Sequence, residues 1–316
     1  MSPNSWICLH PSNATQTTVS LDNRGLAYGD GFFTTMGVID GQILWLDYHQ
    51  QRLVSHATAL QLQLDSQLLL AMLKIHAKQL QQGMLKLIIT RAEQEVRGYG
   101  YTPNIGGGSA CEIWLKSSPM AITTARSLPL ADGQFIPLQP TASAICLSSQ
   151  IACLPPTLAG LKSLNRLDNV LASGELQAIK AKTLADTIKP SIAEGLLRDM
   201  SGQWVEGTMS NVFYQLVEAP VAKSSNRPHS QNNSSNYLTQ GQWYTPSMAQ
   251  SGVAGVMRQV IIDTLSTSNN PIIIRSLQDE DLPHLSQLFF CNALRGIMPM
   301  SSLRLLSGEV VSFEAI

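Results

Sequence analysis

Residues 158–172 read LAGLKSLNRLDNVLA, and the reading of the whole fold turns on this run. Pro155-Pro156 precede it, and Ser143–Ser149 before them is strand-like. Leu167, Val170, Leu171, Gly174, Ala178 and Ala181 then recur at helical spacing. The spacing predicts a long helix that starts just after Lys162 and buries that apolar face. A lysine at a strand–helix junction among apolar neighbours loses hydration. Desolvation disfavours its ammonium form, lowers its pKa and leaves an amine that can form a Schiff base with a carbonyl. The plain alternative is a surface lysine whose stem snorkels to water. Partners elsewhere in the chain decide between the two.

Four further segments offer such partners. Glu206 closes a short apolar strand in WVEGTMSN (204–211), where a carboxylate can pair with a protonated heterocyclic nitrogen; an edge-strand charge facing water is its alternative. In GVAGVMR (252–258) two glycines run into an amphipathic helix, whose free N–H groups and positive dipole end can hold a phosphate at Gly255 and Val256. Arg52, on the face of an earlier predicted helix, can add a formal charge to that anion. FFCNALRGIMP (289–299) ends a buried strand in small and amide-bearing residues, Asn292 and Ala293 among them. GLAYGDGFFTT (25–35) is either a close backbone approach to a ligand or a tight turn before a hairpin. It is not a dinucleotide fingerprint, because Thr34 stands at the third glycine position and the motif enters a strand.

Outward from these motifs, Gly31–Leu46 reads as a hairpin turning at Asp40-Gly41. A helix capped by Asp47 follows, then a second over 67–80 ended by Gly83. Strands are expected at 84–90, 111–116, 192–197, 204–206, 211–216, 272–275 and 288–291, and a helix near 255–265. Prolines 119, 129, 137 and 140 thin the pattern between. The expected organisation is a smaller α/β domain over 1–118, a connection over 119–135 and a larger domain over 136–316. A Ser/Asn/Gln-rich surface insertion occupies about 219–242 of the larger domain.

Composition excludes several classes. The chain has 316 residues, 44% of them hydrophobic and 14% charged, which is core-forming rather than disordered. A net charge of -1 gives no footprint for nucleic acid, and no apolar run is long enough for a membrane helix. Met1–Gln16 lacks the pattern of a secretory signal. Five scattered cysteines without zinc spacing predict neither disulfides nor a metal site, and place the chain in a reducing cytoplasm.

Taken in order, RGLAYGDGFFTT, LAGLKSLNRLDNVLA, WVEGTMSNVF, TPSMAQSGVAGVMRQ and CNALRGIMPM resemble the class IV aminotransferases. These are the fold-type IV pyridoxal phosphate enzymes, and the likeness runs from about Leu21 to Met300. It implies two α/β domains with pyridoxal 5'-phosphate between them, usually as a homodimer whose neighbouring chain helps line the pocket. It places the Schiff-base lysine at Lys162, the carboxylate facing the pyridine nitrogen at Glu206, and the phosphate-binding arginine at Arg52. The phosphate loop falls at Gly255 and Val256, with Asn292 and Ala293 as a second loop.

Within the family the likeness is nearer to the lyases of 4-amino-4-deoxychorismate. Branched-chain aminotransferases typically carry a tyrosine five residues after the lysine, where this chain has Leu167, and a Gly-Thr pair in place of Asn292-Ala293. The lyase reading makes Lys162 the base at the substrate, with Arg97 as a carboxylate contact and Thr34 and Thr35 lining the pocket. Its products are 4-aminobenzoate and pyruvate, in folate synthesis. Transamination of D- or branched-chain amino acids is the alternative activity. A non-catalytic relative is the alternative of another class.

Overall fold

The computed structural model describes residues 6–10, 18–103, 108–122, 126–130, 133–183, 191–217, 241–266 and 271–313. The expected insertion at 219–242 lies outside them except for its last two residues, as does most of Met1–Gln16. The first layer is a five-stranded antiparallel sheet of β1 (Trp6–His10), β2 (Gly31–Ile39), β3 (Gln42–Ile43), β4 (Gly83–Arg91) and β5 (Cys111–Pro119). Its spatial order is β1-β5-β4-β2-β3. The β2–β3 hairpin turns where expected: Asp40 and Gly41 both have positive φ, 51° and 71°, as the right-handed twist of paired strands requires. Helices α1 (Arg24–Tyr28), α2 (Leu46–Ala59) and α3 (Ser66–Leu80) accompany this sheet. Phe32, Leu53, Leu73 and Leu85 meet in one core between sheet and helices.

Two expected helix ends are corrected. Trp45, in a left-handed conformation, precedes α2 with no side-chain cap, so Asp47 lies in the first turn, where it faces the positive end of the dipole. The exit of α3 is made by Gln81, φ 61°, while Gly83 already belongs to β4.

The second layer is an eleven-stranded mixed sheet. Its strands are β6 (Arg126–Pro129), β7 (Phe135–Leu138), β8 (Ala142–Ile151), β9 (Ile192–Asp199), β10 (Trp204–Gly207), β11 (Asn211–Leu216), β12 (Tyr244–Thr245), β13 (Ile273–Ile274), β14 (Leu285–Asn292), β15 (Gly296–Arg304) and β16 (Val310–Ser312). Because β14 pairs with both β11 and β15, the strands β8-β9-β10-β11-β14-β15 close on themselves. Closure removes the sheet edges that an open array would leave unpaired. Alternation then sends neighbours to opposite faces. Tyr214 and Phe290 enter one core with Trp204, and Phe213 and Phe289 stack at 4.9 Å in another, with Met257 and Ile261 of α5 (Val256–Leu265). The β6–β7 hairpin occupies part of the proline-rich stretch read as a connection. Four residues per arm give too short a period for a sequence reading.

Helix α4 (Leu167–Thr183) begins where expected but buries another face. Ala172 and Leu176 pack on Leu147 and Leu197, while Leu167, Val170 and Leu171 stay exposed at 79%, 61% and 71%. Among the described residues, no helix is long and apolar enough to cross a membrane.

Candidate active site

The Lys162 segment is seated on the edge of the first sheet. Phe33 N–H donates to the Lys162 carbonyl and Leu164 N–H to the Gly31 carbonyl, each at 3.0 Å, so the loop runs as a short antiparallel partner of β2. Its side chain enters a cavity of about 520 Å³ and lies with Nζ 4.6 Å from the Phe33 ring centroid. Burial pushes the amine down to about 8, the Arg52 charge adds to that, and Glu206 pulls the other way. The surface-lysine alternative therefore fails.

Glu206 reaches the same cavity from β10 and is 3% exposed. Its Oε2 accepts from Val253 N–H at 2.8 Å and its Oε1 from Asn169 Nδ2 at 3.3 Å. Gly252, φ +75°, makes this approach possible, since a Cβ there would stand 3.0 Å from Oε2. Burial raises the carboxyl pKa; the Val253 N–H and the charge of Arg166 oppose it.

Arg52 extends from α2 toward the start of α5, where its Nη2 donates to the Ala254 carbonyl at 2.7 Å. Burial lowers its pKa to about 10. Gly255 and Val256 open α5 with no side-chain cap and line the cavity with Arg52, at a helix end whose first-turn N–H groups have no intrahelical partner. Asn292 and Ala293 line the same cavity. Asn292 Oδ1 accepts from Leu294 N–H at 3.1 Å and Arg295 N–H at 2.8 Å, which fixes the turn between β14 and β15.

Thr35 lines the cavity and Thr34 does not. Strand parity turns Thr34 into the core, fully buried, where its Oγ1 lies 2.9 Å from His49 Nδ1. Arg97 is exposed in the 92–103 segment and is not part of the lining. The Gly29-Asp30-Gly31 run is a turn, not a ligand loop. Gly29 ends α1 with φ 65°, a Cβ on Gly31 would strike the Ile89 carbonyl at 2.3 Å, and Asp30 Oδ2 accepts from both Arg24 Nε and Arg91 Nε at 2.9 Å.

Several lining residues went unremarked in the sequence. Phe33 shares the cavity face of β2 with the expected Thr35, and Lys86 is the register partner of Thr35 on β4. A lysine in the central MLKLIIT strand was the available signal. Arg166 and Asn169 enter from the loop before α4 and its first turn, one helical turn apart. The cavity thus has a cationic end (Arg52 and the α5 start), an anionic group (Glu206) and a neutralisable amine between apolar walls.

Residues 31–303 match the family described as amino-transferase class IV. The chain is 24% identical over 289 residues to the aminodeoxychorismate lyase of Vibrio harveyi, covering 91% of this chain and 88% of that one. A crystal structure of 4-amino-4-deoxychorismate lyase from Pseudomonas aeruginosa superposes with a TM-score of 0.67 at 28% identity, covering 94% of this chain and 91% of the other. The branched-chain amino acid aminotransferase of Escherichia coli shares the fold with a TM-score of 0.62 at 19% identity, covering 90% and 81%.

Proposed function

The chain belongs to the class IV aminotransferases, a pyridoxal phosphate-dependent family; from that premise we propose that it is a lyase acting on 4-amino-4-deoxychorismate, releasing 4-aminobenzoate and pyruvate. The donor set suits the cofactor. An uncapped helix start with a buried arginine matches a phosphate of about two charges, and a buried carboxylate matches a protonated ring nitrogen. Arg52, Gly255 and Val256 would hold the phosphate, Asn292 and Ala293 would close that side, and Glu206 would meet the nitrogen. When bound, pyridoxal phosphate supplies an electron sink for the charge left on a substrate carbon.

The observation that carries the lyase reading is the charge of the lining. Among the described residues, Arg52, Lys86, Lys162, Arg166 and Arg295 stand against Glu206 as the single carboxylate of the lining. After the cofactor phosphate is matched, positive groups remain for a substrate with two carboxylates. Lys86 takes over the carboxylate contact expected of Arg97. With its pKa held near 8, Lys162 has an appreciable free-amine fraction at neutral pH. That amine takes the proton from C4 of the substrate. The bond to the enolpyruvyl oxygen breaks with its electron pair leaving on oxygen, and the ring becomes aromatic. Lys162 then returns a proton to the enolpyruvyl methylene, which completes pyruvate. Leu167, exposed and outside the lining, gives no tyrosine at the cofactor edge, which weighs against the aminotransferase branch. The exposed apolar stripe of α4, reaching the cavity at Val170, is the surface on which a second copy would pack, in a homodimer of the cytoplasm.

The test is a product assay. Purified chain with pyridoxal phosphate and 4-amino-4-deoxychorismate should yield equimolar 4-aminobenzoate and pyruvate. Transfer of an amino group from a D- or branched-chain amino acid to 2-oxoglutarate, with no 4-aminobenzoate formed, would replace the lyase reading with the aminotransferase one.

A further inference from the structure

The peptide group that enters Lys162 is gripped on both edges by side chains. Its N–H, that of Lys162, donates to His56 Nε2 at 2.9 Å. Its carbonyl, that of Leu161, accepts from Arg166 Nη2. The far side of Lys162 is held by the main chain of β2, through Phe33 N–H. Main-chain contacts survive most substitutions; the near side depends on two particular residues. His56 is 4% exposed, lies edge-on to Phe32 at 5.3 Å between centroids, and has Nδ1 3.2 Å from Ser55 Oγ. Since Nε2 accepts, the proton of the neutral ring sits on Nδ1, toward Ser55. An imidazolium there would oppose N–H to N–H and stand beside the charges of Arg52, Lys162 and Arg166, the groups that face it. His56 is not part of the cavity lining, and nothing in the proposed chemistry uses it.

The geometry points to His56, with Arg166, as a positioning pair for the reactive lysine: together they fix the plane of the Leu161–Lys162 peptide and so the direction in which the lysine side chain leaves the backbone. This rests on the reading of Lys162 as the catalytic lysine. The side chain is a four-methylene lever, so a small turn at its root displaces the amine from its place over Phe33 by more than a hydrogen bond tolerates. His56→Leu removes the acceptor with little change in volume. His56→Gln keeps an acceptor at the end of a side chain of similar reach.

The experiment uses the full-length holoenzyme and three readouts: the pH midpoint of the absorbance of bound pyridoxal phosphate, kcat against KM, and thermal midpoint. In His56→Leu the absorbance midpoint should move by about half a pH unit or more. Its kcat should fall about tenfold or more with KM little changed. His56→Gln should restore both. A lowered thermal midpoint with unmoved absorbance and kcat would mean a merely structural histidine and overturn the proposal, as would His56→Gln behaving like His56→Leu. If His56→Leu does not fold, imidazole ¹⁵N spectra of the wild-type holoenzyme at pH 6 decide: Nδ1 protonated and Nε2 bare supports the pair, and a ring titrating near 6.5 overturns it. Lys162→Ala runs in parallel. An absorbance band that survives it refutes the lysine assignment itself, a failure distinct from that of the positioning pair.

Discussion

Glu206 sits in the barrel wall at 3% exposure, with one backbone N–H and one side-chain amide on its oxygens. Burial raises its folded pKa above the unfolded value, so its favourable contribution is full below the unfolded pKa and is lost as pH rises through the folded one. Above the unfolded carboxylate range the buried group therefore costs the cofactor-free chain stability. Such a group is kept for what it does to a bound ligand. Glu206→Gln retains an acceptor for Val253 N–H and loses the charge. Its thermal midpoint at pH 7 without cofactor should equal or exceed that of the wild type. Its kcat should drop about 100-fold or more, as when a charge-stabilising group is removed from a buried site. Melting curves and steady-state kinetics check the pair of outcomes; a less stable variant with full activity contradicts the assignment. At this scale Lys162 and Glu206 were legible because each is an ionisable residue stranded in an apolar context. His56 was not legible. Its partner is a backbone N–H 106 positions away, and no local pattern marks such a contact.

At the scale of the element, α4 shows what periodicity tells and what it leaves open. The helix starts at Leu167, but its stripe of Leu167, Val170 and Leu171 points outward while Ala172 and Leu176 meet the barrel. A repeat shows that a face is apolar; it does not show what that face meets. The helix carries two apolar faces, and the one with Ala172 and Leu176 is the face that meets Leu147 of β8 and Leu197 of β9. Strand parity was the more informative rule, and it separates Thr35 in the cavity from Thr34 in the core. The outward stripe is the element on which the proposed homodimer depends. Leu171→Asp puts a charge on that stripe at a position 71% exposed in the single chain. It should change the stability of one chain by no more than about 0.5 kcal/mol, as surface substitutions do. In sedimentation velocity the wild type should run as a dimer and Leu171→Asp as a monomer at the same concentration. A variant that stays dimeric removes the α4 stripe from the interface.

At the scale of the whole molecule, a net charge of -1 hides a cavity in which five basic residues face one acid, because a sum over the chain carries no positions. The order of the five motifs did carry the architecture. The closing of six strands into a barrel did not follow from it, since closure rests on β14 pairing with β11 and β15 pairing with β8, both long-range in the sequence. The same summation applies to acid stability. His49 is fully buried and His56 nearly so, and burial, with the Arg52 charge, pushes both from 6.5 to about 3. Depressed histidines leave the folded state with fewer protons than the unfolded chain. Their contribution is whole above the unfolded pKa and is lost as pH falls below 6.5 toward 3. Well inside that window each histidine adds roughly 1.4 kcal/mol per pH unit to the loss, and the two together roughly 2.7. Glu206, whose folded pKa is raised, works in the opposite sense, so the total slope mixes the terms. A difference between variants isolates the histidine. Denaturant unfolding of the wild type and His56→Gln at pH 7, 6 and 5 should give stability curves that converge as pH falls, the variant losing roughly 1.4 kcal/mol less per unit below the histidine range. Parallel curves would show that His56 takes up its proton in the folded state as readily as in the unfolded one, and so that the seat beneath Lys162 does not demand a neutral ring.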